Sequence, residues 1–296
     1  MDLCWGERAV IDAAGVSIHV ERAGAAADDG TGPVIAGLHG FASGTFTWAG
    51  VAPRLTDRWP VVAWDRPPFG RSERPPVRRG QPDPYAEPRV LEQAEAVLRA
   101  LAPDRPVVLV GHSAGTVVAT ALARAESIDI VGVVLIAPAL DGAPPAIVGR
   151  LASLPGASAL GSRALRLAVR GAAPAIRHAG RHRTPLLDAT ADETARTLRR
   201  PGTAEGLWHL TSTWSPPPPL DELQPLGVPT MVIGGADDRI SSPSSTEVVA
   251  ERLGADLHVL DGVGHAAHEQ VPVVVADLVA GFVAESAEGL GGERDK

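Results

Sequence analysis

The chain contains little cysteine and few aromatic residues, and both shortages restrict what it can be. Of its 296 residues, one is a cysteine (Cys4) and 4% are aromatic. A single cysteine excludes an internal disulfide and a thiolate metal cluster. No apolar run reaches the roughly 20 residues that a membrane-spanning helix needs. We therefore expect neither a disulfide framework nor a membrane partner.

An excess of basic charge and a signal-peptide pattern are also missing. The formal net charge is −8, which argues against a general nucleic-acid binder. The first ten residues, MDLCWGERAV, do not place a basic segment before an apolar core, so we expect a cytoplasmic protein. We also expect a small-molecule substrate, no cofactor, no metal, no nucleic-acid partner, and a monomer or homodimer.

The most informative stretch of the sequence is 106–120, which reads PVVLVGHSAGTVVAT. An apolar strand leads into Gly111-His112-Ser113-Ala114-Gly115, and an apolar helical run follows. Glycines stand two residues before and two residues after Ser113, so no side chain blocks a sharp strand-to-helix turn. G-x-S-x-G in this context is typical of a nucleophile elbow, which exposes a serine at the end of a strand. The sequence predicts that Ser113 is a nucleophile.

Strand-like and helix-like segments alternate along most of the chain. The predicted strands are 7–12, 16–22, 34–38, 61–64, 107–110, 130–137, 228–234 and 255–260, and the predicted helices are 47–55, 88–101, 116–124, 244–253 and 271–284. This alternation predicts an α/β fold with a mostly parallel twisted sheet and helices on both faces.

Strand patterns disappear between residues 142 and 226. This segment is rich in Ala, Arg and Pro and is predicted to form several short helices. We expect an α/β core formed by residues 1–141 and 227–287, an inserted helical cap or lid over 142–226, and a disordered tail over 288–296.

Polar groups follow several of the predicted strands, and in a parallel sheet such groups collect at the carboxyl edge. Asp237 and Asp238 follow the strand after the helical segment, and His265 follows the last strand. A serine nucleophile needs a base to remove its proton, and the base needs an acid to orient it. The order Ser, Asp, His along the chain is that of the α/β-hydrolase fold.

Five motifs resemble those of the α/β-hydrolase superfamily from about Glu7 to Glu285. They are LHGF (Leu38 to Phe41), WDRPPFGRS (Trp64 to Ser72), GHSAG (Gly111 to Gly115), GGADD (Gly234 to Asp238) and GVGHAAHEQVP (Gly262 to Pro272). The chain is similar to the small bacterial branch with a helical cap. That branch includes esterases, carbon–carbon bond hydrolases, cofactor-free haloperoxidases and epoxide hydrolases.

The resemblance implies a catalytic triad of Ser113, Asp238 and His265. Asp238 is favoured over Asp237, because the family acid lies three residues after the glycine that ends its strand, here Gly235. His268 is the alternative base, with loop packing as its ordinary role.

The resemblance also assigns the oxyanion hole to the backbone N–H groups of Phe41 and Ala114. His39 and His112 are expected to be structural. Asp65 and Ser72 are expected to brace the loop beside the site.

Two further pairs in the helical segment carry weaker signals. His178 and His182 are four residues apart and could face a metal, but no glutamate follows His178 as in H-E-x-x-H, so a solvated helix face is favoured. Trp208 and Trp214 are expected to pack, although one of them could face the substrate.

The motif details narrow the reaction. Dehalogenases and epoxide hydrolases of this fold attack with a carboxylate, and Ser113 occupies that place here. Carbon–carbon bond hydrolases usually carry Asn before the serine and Trp after the histidine, where this chain has His112 and Ala266. The sequence thus predicts a serine hydrolase of a carboxylic ester, thioester or lactone. A carbon–carbon bond hydrolase, a lyase or cyclising tailoring enzyme, and a ligand receptor with little turnover remain as alternatives.

Overall fold

In the computed structural model, the described residues are 1–24, 30, 32–140, 160–166, 183–213 and 218–294, with side chains up to residue 287. An eight-stranded sheet forms the centre, in the order β1-β2-β4-β3-β5-β6-β7-β8. Its strands are β1 (Glu7–Ala13), β2 (Val16–Ala23), β3 (Val34–Leu38), β4 (Val61–Trp64), β5 (Val107–His112), β6 (Ile130–Ile136), β7 (Thr230–Gly235) and β8 (Asp256–Leu260).

The helices connect these strands. They are α1 (Ala52–Leu55), α2 (Glu87–Leu101), α3 (Ala114–Ala125), α4 (Pro185–Leu198), α5 (Thr203–Thr213), α6 (Pro243–Leu253), α7 (Ala267–Gln270) and α8 (Pro272–Arg294), with short 3-10 helices at Thr45–Gly50 and Leu220–Glu222. Residues 160–166 are also helical.

The sheet is parallel except at one edge. β1 and β2 form an antiparallel hairpin, and β2 pairs antiparallel with β4, whereas all pairs from β4 to β8 are parallel. β5 lies between β3 and β6, and every one of its residues is buried. The strand order reverses between β3 and β5, and a crevice forms at such a switch point beside the strand ends. The predicted α/β-hydrolase fold is confirmed.

Helices cover both faces of the sheet. One core cluster joins the sheet to α2, α3 and α6 through residues such as Val97, Leu122 and Val249. The other joins it to α1, α8 and the first 3-10 helix through residues such as Leu55 and Val279. Burial on both faces explains why the central strands are continuous apolar runs rather than alternating ones.

The structure differs from the prediction at two helices. The helix expected over 47–55 is a 3-10 helix that ends at Gly50, followed by the single turn α1, which has a proline in its first turn. The tail expected to be disordered over 288–296 is helical up to Arg294, because α8 continues through it. Extending an existing helix adds a backbone hydrogen bond for each residue fixed, so a packed stem favours continuation.

The described parts of 142–226 contain α4, α5 and the helical residues 160–166. The division into core and cap remains a prediction. His178, His182 and Trp214 lie outside the described residues. Within the described ranges, no helix combines the length and apolar character needed to cross a membrane.

Candidate active site

Ser113 sits at the sharp turn between β5 and α3, at the centre of the sheet. Its backbone has φ 49° and ψ −121°, a sparsely populated conformation that a surrounding structure must enforce. A Cβ on Gly115 would lie 2.2 Å from the carbonyl oxygen of Leu38, and one on Gly111 would lie 2.9 Å from that of Gly115. Both predicted glycines are therefore required by close backbone packing.

Three side chains from three different strand ends meet in a hydrogen-bonded series. His265 Nε2 lies 2.9 Å from Ser113 Oγ, and His265 Nδ1 lies 2.8 Å from Asp238 Oδ2. Because an ionised carboxylate only accepts hydrogen bonds, Nδ1–H donates to Asp238. That tautomer leaves Nε2 as the acceptor for the hydroxyl proton of Ser113.

Asp238 is held in place by the loop that follows it. The side chain is 1% exposed, and its Oδ1 accepts hydrogen bonds from the N–H groups of Ile240 (2.7 Å) and Ser241 (3.1 Å). Ser241 Oγ in turn donates to the carbonyl of Ala137, just after β6. Asp237 is exposed, and its N–H donates to Val263 at 2.8 Å. The geometry thus favours Asp238 over Asp237 as the acid, because the Asp238 carboxylate contacts the imidazole of His265.

The loop carrying His265 packs directly on the end of β7. A Cβ on Gly235 would lie 2.3 Å from the carbonyl oxygen of Val263, so glycine permits this close approach. Gln270 Oε1 accepts from the N–H of Gly264 at 2.8 Å. His112 Nε2 lies 3.0 Å from the carbonyl oxygen of His265, so Nε2–H donates to it. This contact with the backbone of His265 agrees with the structural role expected for His112.

His268, the alternative base, is packed in the interior. Its ring is fully buried, lies 4.3 Å from the ring of His112 and 5.1 Å from that of Trp48. Burial, and then the nearby charge of His265, lowers the pKa of His268 to about 3. Among the described contacts, none is a hydrogen bond between His268 and Ser113.

The loop between β3 and the first 3-10 helix holds Phe41, next to Ser113 across the switch point. A Cβ on Gly40 would lie 3.3 Å from Cβ of Ser113. Ala114 is the first residue of α3, and the first N–H groups of a helix have no intrahelical acceptor. The Phe41 side chain packs on Phe69, with ring centroids 5.3 Å apart.

His39 fixes that loop as a neutral imidazole. Its Nε2 accepts from the N–H of Arg66 at 2.9 Å, so Nδ1–H donates to the carbonyl of Gly40 at 2.7 Å. The Arg66 guanidinium donates to the carbonyl of His39. Burial, and then the charge of Arg66, holds the pKa of His39 well below its ordinary value. The structural role predicted for His39 agrees with these contacts.

Asp65 braces the far end of the same loop. Its Oδ1 accepts from the N–H of Thr45 at 2.6 Å, and its Oδ2 accepts from the N–H of Arg71 at 2.7 Å. Ser72 Oγ donates to the carbonyl of Asp65 and accepts from the N–H of His19. The bracing role predicted for Asp65 and Ser72 is confirmed.

Sequence reasoning missed four residues that support the site: Arg66, Ser241, Glu269 and Gln270. Arg66 lies inside the motif WDRPPFGRS, Glu269 and Gln270 lie inside GVGHAAHEQVP, and Ser241 lies three residues after Asp238. These positions are signals that could have marked them, but they do not give the contacts, which are with backbone groups and with a helix distant in sequence. Where the structure describes the chain, no group of three or more His, Cys, Asp or Glu side chains could hold a metal ion.

Comparison with known proteins gives partial and full-length relatives. The chain is 32% identical over 87 residues to the "Probable oxidoreductase EphD" of Mycobacterium tuberculosis, and it spans only 14% of the length of that relative. It is 29% identical over 275 residues to the lipase LipV of the same species, covering 89% of this chain and 97% of LipV.

A solved structure of a hydrolase from Pseudomonas aeruginosa PA01 matches this fold with a TM-score of 0.72. The identity is 23%, over 94% of this chain and 98% of the other. The sequence profile of the alpha/beta hydrolase family matches residues 36–278, which include all the strands from β4 to β8 and the whole described site. The chain belongs to the alpha/beta hydrolase family.

Proposed function

We propose that this protein is a serine hydrolase that cleaves a small-molecule acyl substrate through an acyl-enzyme intermediate. The observation that carries the proposal is the hydrogen-bonded series from Asp238 through His265 to Ser113, with spacings of 2.8 and 2.9 Å. A nucleophile, a base within hydrogen-bond reach and a group that orients the base are the parts this reaction needs. The proposed substrate bond is a carboxylic ester, a thioester or a lactone.

In the first step, Ser113 Oγ bonds to the substrate carbonyl carbon while its proton moves to His265 Nε2. The imidazolium that forms is stabilised by Asp238, whose carboxylate accepts from Nδ1–H. The carbonyl oxygen becomes an oxyanion, for which we propose the N–H groups of Phe41 and Ala114 as donors. His265 then gives the proton to the leaving group, and the acyl group remains on Ser113.

In the second step, His265 takes a proton from water, which attacks the acyl carbon. The tetrahedral intermediate collapses, the carboxylic acid leaves, and the proton returns from His265 to Ser113 Oγ. Two donors to the oxyanion matter because removing one such donor typically costs 10²–10³-fold in kcat.

We propose that the helical segment 142–226 is a cap that shapes the substrate pocket. Support comes from α4, which packs on the first 3-10 helix and on α7, and from α5, where a Cβ on Gly206 would touch Pro68 and Tyr85. Apolar side chains beside the relay remain accessible: Phe41 is 51% exposed and Ile240 is 66% exposed. They favour a substrate with an apolar acyl or alcohol part.

A fluorophosphonate probe and a series of 4-nitrophenyl esters test the proposal. We expect the probe to label the folded protein at Ser113, and we expect ester turnover that varies with acyl chain length. Ser113→Ala should abolish both, whereas Ser127→Ala should still be labelled, since Ser127 is exposed beyond the opposite end of α3 and its hydroxyl donates to Glu95. Absence of labelling in folded protein would contradict an activated serine.

The alternatives give different patterns in the same experiment. Labelling at Ser113 without turnover of any ester or thioester would favour a carbon–carbon bond hydrolase or a cyclising tailoring enzyme. Neither labelling nor turnover, with retained binding of small apolar ligands, would favour a receptor.

A further inference from the structure

Glu269 is a buried carboxyl group that the proposed mechanism does not use. It lies in α7, directly behind the loop of His265, and it is 6% exposed. Across from it lies α4: Thr190 Oγ1 is in hydrogen-bond contact with Glu269 Oε2, and Thr184 Oγ1 donates to the carbonyl of Glu269 at 3.2 Å. Glu269 therefore joins the helix behind the catalytic base candidate to a helix of the predicted cap.

Thr190 has two oxygen neighbours for one hydroxyl proton. Its Oγ1 is in hydrogen-bond contact with Glu269 Oε2 and also lies 3.0 Å from the carbonyl oxygen of Leu187. A hydroxyl has one proton, so Thr190 can donate to Glu269 or to Leu187 but not to both. If Glu269 is ionised, one of the two contacts has no proton between its oxygens. Both contacts are hydrogen bonds only when Glu269 carries a proton and donates it to Thr190, which then donates to Leu187.

Compensating positive charge is absent from the described surroundings of Glu269. Its closest titratable neighbour is His268, whose Nε2 lies 3.5 Å from Oε1 and whose low pKa leaves the ring neutral. Burial raises the pKa of Glu269 itself to about 7.

The elements packed on α7 are α4, α8, the first 3-10 helix and β7, and the last two contain no titratable residue. On α4, Glu193 is paired with Arg71 and Arg196, Asp188 is paired with Arg183, and Asp192 is exposed.

On α8, Asp277 is exposed, and Glu285 and Arg294 are far along the helix. The ring of His112 lies 4.3 Å from that of His268, and burial holds its pKa well below the ordinary value. The other groups on this side are those of the relay, His265 and Asp238.

We propose that Glu269 is a protonated carboxylic acid that latches α4 to α7 by donating a hydrogen bond to Thr190. It is a positioning residue, because it acts on His265 only through α7 and the loop before it. Ionisation removes the donated proton and places a charge in an apolar site, so the latch holds below about pH 7 and loosens above it. The inference requires no substrate and stands independently of the proposed reaction.

Infrared spectroscopy tests the protonation state directly. A protonated carboxylic acid has a carbonyl stretch separate from that of carboxylates, and we expect such a band at pH 6 in the wild-type chain. It should disappear in Glu269→Gln and on raising the pH above 8. If the wild type shows no band that Glu269→Gln removes, the proposal is wrong.

Hydrogen exchange of the α4 amides tests the latch. If Glu269 ionises only when α4 detaches from α7, deprotonation and detachment are coupled. The protection of the α4 amides should then fall about tenfold per pH unit above pH 7, after correction for intrinsic exchange. Glu269→Gln, which keeps the shape and an N–H donor, should keep full protection and lose this pH dependence. Thr190→Ser should behave as the wild type, and Thr190→Val should lower protection already at pH 6.

The opposite pattern would overturn the latch. If Glu269→Gln lowers α4 protection at pH 6 as much as Glu269→Ala does, the side chain acts as a carboxylate rather than as a donor. Should these variants fail to fold, the wild-type infrared band and its pH dependence still decide the protonation state.

Discussion

The glycines beside Ser113 act by the space they leave rather than by their own conformational freedom. Gly111 and Gly115 do not have positive φ values, but backbone atoms occupy the positions where their Cβ atoms would lie. Ser113 itself adopts the strained positive φ. The turn thus places the unfavourable backbone conformation on Ser113, while Gly111 and Gly115 contribute no side chain that would collide with the backbone.

Gly115→Ala should disrupt the site, because the new Cβ would meet the carbonyl oxygen of Leu38 at 2.2 Å. We expect a loss of about 3 kcal/mol in the free energy of unfolding and loss of probe labelling at Ser113. Urea denaturation and labelling rate measure these effects. Gly281→Ala is the matched control: it lies in α8 with open space around the added Cβ, and it should stabilise the chain by about 0.5–1 kcal/mol.

Two adjacent aspartates provide a second test at the residue scale. Asp238→Asn should reduce kcat by about 10⁴-fold, because an amide no longer holds the correct tautomer of His265. Asp237→Asn should leave kcat within a few-fold, since Asp237 is exposed. Steady-state kinetics on the best ester substrate make the comparison. Equal losses in the two variants would contradict the assignment of the acid.

Residues could be predicted where a motif fixes both type and spacing. Ser113, Asp238 and His265 follow strand ends in a fixed order, and the structure brings these three side chains together. Glu269 could not be predicted in this way, because its side-chain contact is with Thr190, which lies 79 residues away in sequence.

At the scale of elements, strands were easier to predict than helices. Every predicted strand is present, because a continuous apolar run bounded by turn residues has few other uses in a chain of this kind. The first predicted helix is instead a 3-10 helix and a single turn, since local periodicity does not distinguish i+3 from i+4 hydrogen bonding. Contacts between residues over 120 positions apart in sequence join α4 and α5 to the loop after β4, and no local pattern encodes such contacts.

One of those contacts is the ion pair between Arg71 and Glu193, which joins the Asp65 loop to α4. Their atoms are 2.7 Å apart, and the side chains are 25% and 5% exposed. A double-mutant cycle with Arg71→Met and Glu193→Gln should give a coupling free energy of about 1–3 kcal/mol. The exposed pair Arg183 and Asp188 should give less than about 1 kcal/mol. Similar values for both pairs would show that burial does not strengthen the α4 contact.

At the scale of the whole molecule, the interior contains ionisable groups whose pKa values are shifted in opposite directions. Burial is the main cause in each case: it lowers the pKa of His39, His112 and His268, and it raises that of Glu269. The unfolded histidines bind more protons than the folded ones below pH 6.5, so these groups add stability as pH rises towards 6.5. Glu269 has the opposite effect, because the unfolded carboxyl loses its proton near pH 4.5 and the folded one near pH 7.

The two effects predict that two variants change the pH dependence of the unfolding free energy in opposite directions. His268→Phe, which keeps a ring beside Trp48, should reduce the rise in unfolding free energy between pH 4.5 and 6.5 by about 1.4 kcal/mol per pH unit. Glu269→Gln should steepen that rise by a similar amount and remove the decline between pH 6.5 and 7. Urea denaturation from pH 4.5 to 8 measures both, with the half-exposed His258 changed to Gln as the control. A wild-type-like slope in His268→Phe would mean that the ring is protonated in the folded protein, and the imidazole cluster behind His265 would then carry a positive charge.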